Sequence, residues 1–196
     1  MEDFVQHLVN GVSLGSIYAL SALGYTMVYG VLQMINFAHS EIYMVGAFSA
    51  FYIARWANLE SHPGLQSLLI LIFGAMVCCS ILGLLIERLC YRPLRNSPKL
   101  NILITAIGVS LFLQYFGQII FGATPQVFPT VLPDDILFRF GEVEVRFIDV
   151  AILGVAMFFM LTLHILIFHT RLGKAMRAVS QNMRVASLMG ISPNYI

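Results

Sequence analysis

The sequence predicts an all-α, polytopic membrane bundle of about five spanning helices, with one small outer β-hairpin. Three observations predict it. Of the 196 residues, 59% are hydrophobic and 11% charged, with a mean hydropathy of +0.84, which excludes an ordinary soluble domain. Charge is also unevenly placed. No Asp, Glu, Lys or Arg falls between Ser61 and Ile86, between Leu100 and Pro133, or between Val150 and Thr170, and the one formal charge between Phe4 and Ala54 is Glu41. A crossing needs about 20 apolar residues, so each gap holds one helix and the first stretch holds two. Lastly, Phe138, Phe140, Val143, Val145 and Phe147 alternate with Arg139, Glu142, Glu144 and Arg146, a period of two that indicates strands.

The spans fall at 8–30, 37–54, 66–86, 101–121 and 148–168. The first would run about 34 Å at 1.5 Å per residue, enough to cross with some tilt. Gly11, Gly15 and Ala19 recur every fourth residue along it, and Gly46, Ala50 and Ala54 do so along the second. Small residues at that spacing let helix backbones approach closely in lipid. The start Met1-Glu2-Asp3 is acidic, where a cleavable signal peptide needs a basic region, so the first apolar segment is expected to remain as a membrane helix.

Basic residues set the orientation. The segment 87–99 carries a net charge of +3, through Arg88, Arg92, Arg95 and Lys99 against Glu87. The segment 171–196 carries +4, through Arg171, Lys174, Arg177 and Arg184. Between them, 123–147 carries −2. The positive-inside rule places the first two in the cytoplasm and the third outside, with Met1 outside as well. In the outer segment Pro125, Pro129 and Pro133 break any helix. Gly141-Glu142 would then turn a hairpin in which Arg139 faces Glu144 and Phe138 faces Val145. A two-stranded ribbon is marginal alone and is expected to rest on the membrane domain or on a partner.

Several function classes lose support here. A net charge of +1 gives no basic surface for nucleic acid. Cys78, Cys79 and Cys90 form no metal-ligand pattern and read as small apolar space-fillers. No phosphate loop, Gly-x-Ser-x-Gly or His-Glu-x-x-His motif occurs, so the chain shows no catalytic site of its own.

Two regions carry the remaining chemistry. The first is Asn36-Phe37-Ala38-His39-Ser40-Glu41. On one continuous helix Asn36, His39, Ser40 and Tyr43 would share a face, with Glu41 about 100° round from Ser40. A break at 30–35, with Asn36 capping a new helix and Glu41 early in it, accommodates the cluster better. A helix that starts at membrane depth offers unpaired N–H groups to a substrate carboxylate. The alternative is a short loop at the cytoplasmic surface, with Asn36 and Glu41 as ordinary cap and first-turn residues. Asn36, His39, Glu41 and Tyr43 are the pathway candidates. The second region runs from Lys174 to Met189 with helical period. Lys174, Arg177, Gln181 and Arg184 line one face and Met176, Val179, Met183 and Ala186 another, Gly190 is placed for a C-terminal cap, and Pro193 forbids continuation. Such a helix rests on anionic headgroups or enters a groove on a cytoplasmic partner. His164, alone in the last span, reads as an interhelical contact.

These residues also carry a resemblance. Asn10-Gly11-Val12-Ser13-Leu14-Gly15-Ser16-Ile17-Tyr18-Ala19-Leu20, Gly24-Tyr25-Thr26-Met27-Val28-Tyr29-Gly30 and Met34-Ile35-Asn36-Phe37-Ala38-His39 resemble the opening of a branched-chain amino-acid ABC transporter permease, nearest the H-type subunit. Ile86-Glu87-Arg88 and Tyr91-Arg92-Pro93-Leu94-Arg95 resemble its first large cytoplasmic loop. Gly173, Arg177, Ala178, Ala186 to Leu188, Gly190 and Ile191 resemble the segment that contacts the ATPase subunit. Ser40 stands where the family usually has Gly. The family continues past this coupling segment with further spans, so the resemblance implies a chain cut short at Ile196.

The resemblance implies residues 1–196 as the N-terminal part of one permease transmembrane domain, in the inner (plasma) membrane of a bacterium, with a coupling segment at 171–191. It implies a second permease subunit, two cytoplasmic ATPase subunits that bind the ATP, and a periplasmic or lipid-anchored substrate-binding protein, with no cofactor and no metal in this chain. Gly173, Arg177, Ala178, Ala186 and Gly190 would couple ATPase closure to movement of the spans. A passive channel for a small polar solute such as urea or an amide is the alternative, and the amphipathic tail, which a pore does not need, argues against it.

Overall fold

The computed structural model describes residues 2–32, 36–61, 63–94, 97–132, 136–140 and 143–192. They form seven helices, α1 (Glu2–Leu32), α2 (His39–Trp56), α3 (Leu65–Ile86), α4 (Lys99–Phe121), α5 (Phe147–His169), α6 (Arg171–Gln181) and α7 (Met183–Leu188), with strands β1 (Ile136–Phe140) and β2 (Val143–Arg146) between α4 and α5. The chain divides into two compact units, Met1–Met34 with Asp134–Ile196, and Ile35–Pro133.

Among the described residues, four helical stretches are long and apolar enough to cross a membrane: Asp3–Gly30, Leu65–Leu94, Leu100–Phe121 and Phe147–His169. Their outward side chains are apolar, as Phe73, Leu84, Ile119, Phe158 and Leu161 illustrate, which suits lipid rather than water. The protein is thus a multi-pass membrane protein. The segment expected as a span at 37–54 does form a helix, α2, but His39, Glu41 and Arg55 leave it less apolar than the other four. The first helix also continues through Gly30 to Leu32, past the expected break; residues 33–35 lie outside the described residues.

In the unit Ile35–Pro133, α2 packs along α3 and α4. The Cys79 thiol donates to the Ile42 carbonyl at 3.5 Å. A Cβ on Gly46 would sit 2.8 Å from the same sulfur, and Ala54 is fully buried, so the small-residue stripe of the second span serves close packing as expected. Phe48 of α2 stacks on Phe121 of α4 with ring centroids 4.4 Å apart. Two apolar clusters close the ends. One joins Ala54, Leu59, Leu71 and Val131, and the other joins Ala38, Ile86 and Leu113.

The expected loop after Ile86 begins instead as helix. A π-helical turn over Glu87–Tyr91 and a 3-10 turn over Arg92–Leu94 extend α3 without a break. A stretch of 30 residues runs about 45 Å, beyond the roughly 30 Å hydrocarbon layer, so its basic end projects past the lipid. Tyr91, the last residue of the π turn, packs against the buried cluster of Ala38, Ile86 and Leu113.

In the other unit α1 packs against α5 and α6. The buried residues of the long helices are small: Ser13 and Ser16 on α1, and Ala156 on α5. A Cβ at Gly11 or Gly15 would meet no atom within 4 Å, so the expected glycine stripe is not the packed face of α1. The ribbon has the expected register, Phe138 opposite Val145 and Arg139 opposite Glu144; Gly141 and Glu142, the expected turn, lie outside the described residues. It rests on α1 through Gln6, whose side chain donates to the Glu144 carbonyl at 3.2 Å and accepts from the Glu144 N–H at 2.8 Å. Strand β2 then runs directly into α5, where the Asp149 carboxylate accepts from the Arg146 N–H at 3.4 Å and favours the helix start.

Candidate functional site

The polar cluster ahead of α2 is a junction. Asn36 Oδ1 accepts from the Ala38 N–H at 3.1 Å, closing a local turn, and from the Tyr91 hydroxyl at 2.7 Å. The helix begins two residues later than expected for an Asn36 cap. Its N-cap is Ala38, with no side-chain capping bond, so Asn36 organises the turn that precedes the helix. Ala38 is fully buried against Ile86 and Leu113, beside Ile42, Leu82, Cys90, Tyr91 and Val109.

Glu41 occupies the first turn of α2, where the helix dipole favours an acid. Its Oε1 accepts from Ser40 at 3.3 Å and from Ser110 of α4 at 3.0 Å. That second bond is distinctive. Ser16, Ser21, Thr26, Ser80, Thr105 and Thr162 all donate to the carbonyl four residues earlier on their own helix, the usual use of a hydroxyl in an apolar helix. Ser110 crosses to another helix. The structure thus joins Asn36 to Tyr91 and Glu41 to Ser110, while His39 is half-buried and Tyr43 is 61% exposed. Tyr91 and Ser110 were not among the expected site residues. Most hydroxyls in these spans bond their own helix, so the sequence does not mark Ser110 out, and only the folded pair reveals its partner.

The second site is the joint between α5 and the two short helices. Thr170 caps α6: its hydroxyl accepts from the Gly173 N–H at 3.1 Å and donates back to the Leu166 carbonyl. A Cβ on Gly173 would overlap the backbone of Leu166 and Ile167, so only glycine permits this approach. The Arg177 guanidinium lies 5.4 Å from the centre of the Phe168 ring, within cation–π range. His164 packs on Phe168 with ring centroids 4.9 Å apart. Both line a cavity of about 290 Å³ with Leu23, Met27 and Met176.

The expected single helix from Lys174 to Met189 is two. Asn182 takes an extended conformation, and its side chain accepts from the Val185 N–H at 3.1 Å, capping α7. The faces assigned on one continuous helix therefore do not continue from α6 into α7. Val179 and Ala186 are buried, Ala178 half-buried and Arg177 exposed. Gly190 has the expected capping role. At φ 84 it lets its own N–H reach the Ser187 carbonyl and the Ile191 N–H reach that of Ala186, both at 3.1 Å, the paired closure typical of a helix end. Val185, Leu188 and Met189 remain exposed, Leu188 at 86%. Among the described residues no group of three or more His, Cys, Asp or Glu is placed to hold a metal ion.

The family profile described as "Branched-chain amino acid transport system / permease component" matches residues 7–196. The chain belongs to this permease family. It is 39% identical over 199 residues to the high-affinity branched-chain amino acid transport system permease protein BraD of Pseudomonas aeruginosa, covering 98% of this chain and 64% of that one. It is equally 39% identical over 197 residues to the permease protein LivH of Escherichia coli, with the same coverage. A probable branched-chain amino acid transport permease protein LivH of Methanocaldococcus jannaschii is 27% identical over 194 residues, covering 94% of this chain and 57% of that one. The permease chain thus spans just under two thirds of the length of its bacterial relatives. No solved structure matches it.

Proposed function

We propose that the permease chain serves as the membrane-spanning part of an ATP-driven importer for branched-chain amino acids of the leucine, isoleucine and valine type. It would work in the inner membrane of a bacterium. Its partners would be a second permease subunit, two cytoplasmic ATPase subunits and an external substrate-binding protein. The ATP would bind to the ATPase subunits, and this chain would perform no catalysis of its own. Names of the relatives support the substrate class and the transport role. The sign of the loop charges supports an orientation with 87–99 and 171–192 in the cytoplasm and the ribbon outside.

The observation that carries the reading is the arm formed by α6 and α7. It is fixed to α5 at Thr170 and Gly173 by backbone contact and one shared hydroxyl, while Val185 and Leu188 of α7 and Met189 just after it are exposed. A stiff joint with an apolar tip is suited to receive movement from a cytoplasmic partner and pass it to α5 and α1. A passive channel needs no such arm.

The test is uptake of labelled leucine by vesicles carrying the assembled transporter. Uptake that requires ATP on the cytoplasmic side and stops when hydrolysis is blocked supports the proposal. Leucine equilibration without ATP contradicts it.

A further inference from the structure

The unit Ile35–Pro133 holds a cleft at the end opposite Tyr91. It has a volume of about 610 Å³ and is lined by Arg55, Asn58, Glu60, Pro125, Gln126 and Val127 among others. That volume falls in the range of small-molecule sites, roughly 300–1,000 Å³. Two charges of opposite sign reach it from one rigid turn. Arg55 follows Ala54 and Glu60 follows Leu59, and both apolar neighbours are buried in a single cluster with Leu71 and Val131. Asn58, at φ 51, reverses the chain between them, a conformation asparagine tolerates better than most residues. The Gly64 N–H bonds to the Val131 carbonyl at 3.1 Å, which ties this turn to the segment carrying Pro125, Gln126, Val127 and Pro129. Among the described residues neither Arg55 nor Glu60 makes an ion pair.

We propose that this cleft is a transit site for a free zwitterionic amino acid, on the face where external substrate arrives. The Arg55 guanidinium presents a planar fork that matches a carboxylate, and the Glu60 carboxylate accepts from an ammonium group. Val127 and the prolines, with the accessible edge of Phe51, offer an apolar wall to a branched alkyl side chain, and the Gln126 amide can bond either end. Both charged residues are exposed, so solvent screens them and binding is weak. Weak holding is what a site on a conduction path requires. The substrate class rests on the proposed importer function, whereas the position of the site rests on the cleft.

The test uses the assembled transporter in proteoliposomes with a cysteine introduced at Gln126 and labelled from outside by a membrane-impermeant maleimide. Leucine at about four times a millimolar Kd is expected to slow labelling about fivefold, the protection given by a site about 80% occupied. Leucinamide, which lacks the carboxylate, and 4-methylpentanoate, which lacks the ammonium, are expected to give no protection. Adding R55Q or E60Q should abolish protection by leucine, read as the ratio of labelling rates with and without leucine in the same variant. Failure of the cysteine to label from outside, labelling indifferent to leucine, or protection that survives both substitutions overturns the proposal. ATP-dependent leucine uptake by the same vesicles separates the two readings. Uptake without protection removes the cleft alone, and protection without uptake removes the importer alone.

Discussion

The Tyr91 hydroxyl donates to the Asn36 side chain at 2.7 Å across 55 positions of sequence. It fastens the end of the extended third helix to the turn that starts the second. Because Asn36 Oδ1 also accepts from the Ala38 N–H, one oxygen fixes both the turn and its neighbour. The pair sits over the buried cluster of Ala38, Ile86 and Leu113, so polar and apolar contacts hold the same junction.

Tyr91→Phe removes the cross-element bond and keeps the ring in its cluster. A typical hydrogen bond contributes about 1 kcal/mol, so the variant should unfold at slightly lower temperature in detergent. Asn36→Ala removes both bonds and leaves the Ala38 N–H to find another acceptor, so it should cost more than Tyr91→Phe. Equal unfolding temperatures for the two variants and the parent would show that the junction is not held there.

Glu41 tests charge against hydrogen bonding. Glu41→Gln keeps an oxygen that can accept from Ser110, whereas Ser110→Ala removes the donor and keeps the charge. Transport weakened by Glu41→Gln with membrane insertion unchanged would assign the charge a role in the pathway. Transport weakened only by Ser110→Ala, with Glu41→Gln normal, would make the pair a structural clasp between α2 and α4. We expect the first outcome, and uptake kinetics on matched amounts of inserted protein would decide.

Gly173→Ala drives a methyl group into the backbone of Leu166 and Ile167. Overpacking typically costs about 1–3 kcal/mol, and a backbone neighbour cannot swing aside as a side-chain tip can. The arm should therefore shift against α5, and uptake should fall relative to ATP hydrolysis in the assembled transporter. An unchanged ratio of leucine moved to ATP consumed would remove Gly173 from the coupling path.

Much of this architecture was legible in the chain because it follows from short-range rules. Charge-free runs gave α3, α4 and α5 nearly to the residue, and the two-residue alternation gave the pairing of Phe138 with Val145 and Arg139 with Glu144. Gly190 was readable as a cap because its positive φ favours glycine. What stayed hidden depends on partners far away in sequence. The π turn at Glu87–Tyr91 leaves no compositional mark, yet Tyr91 at its end makes the bond to Asn36. Nothing in the sequence singles out Gln6, whose amide bonds both the N–H and the carbonyl of Glu144, 138 positions away. Asn182 was masked by a helical pattern on either side, although its side chain competes with the helix for backbone bonds and so splits the tail in two. In α1 the glycine spacing suggested the packed face, whereas Ser13 and Ser16 are buried.

The most direct measurement joins the arm to its partner. With a cysteine in place of Ser187 on α7, and another on the ATPase surface, the assembled transporter should cross-link, with a yield that changes between the ATP-bound and nucleotide-free states. No adduct in either state, while leucine uptake still proceeds, would contradict the assignment of α6 and α7 as the coupling arm.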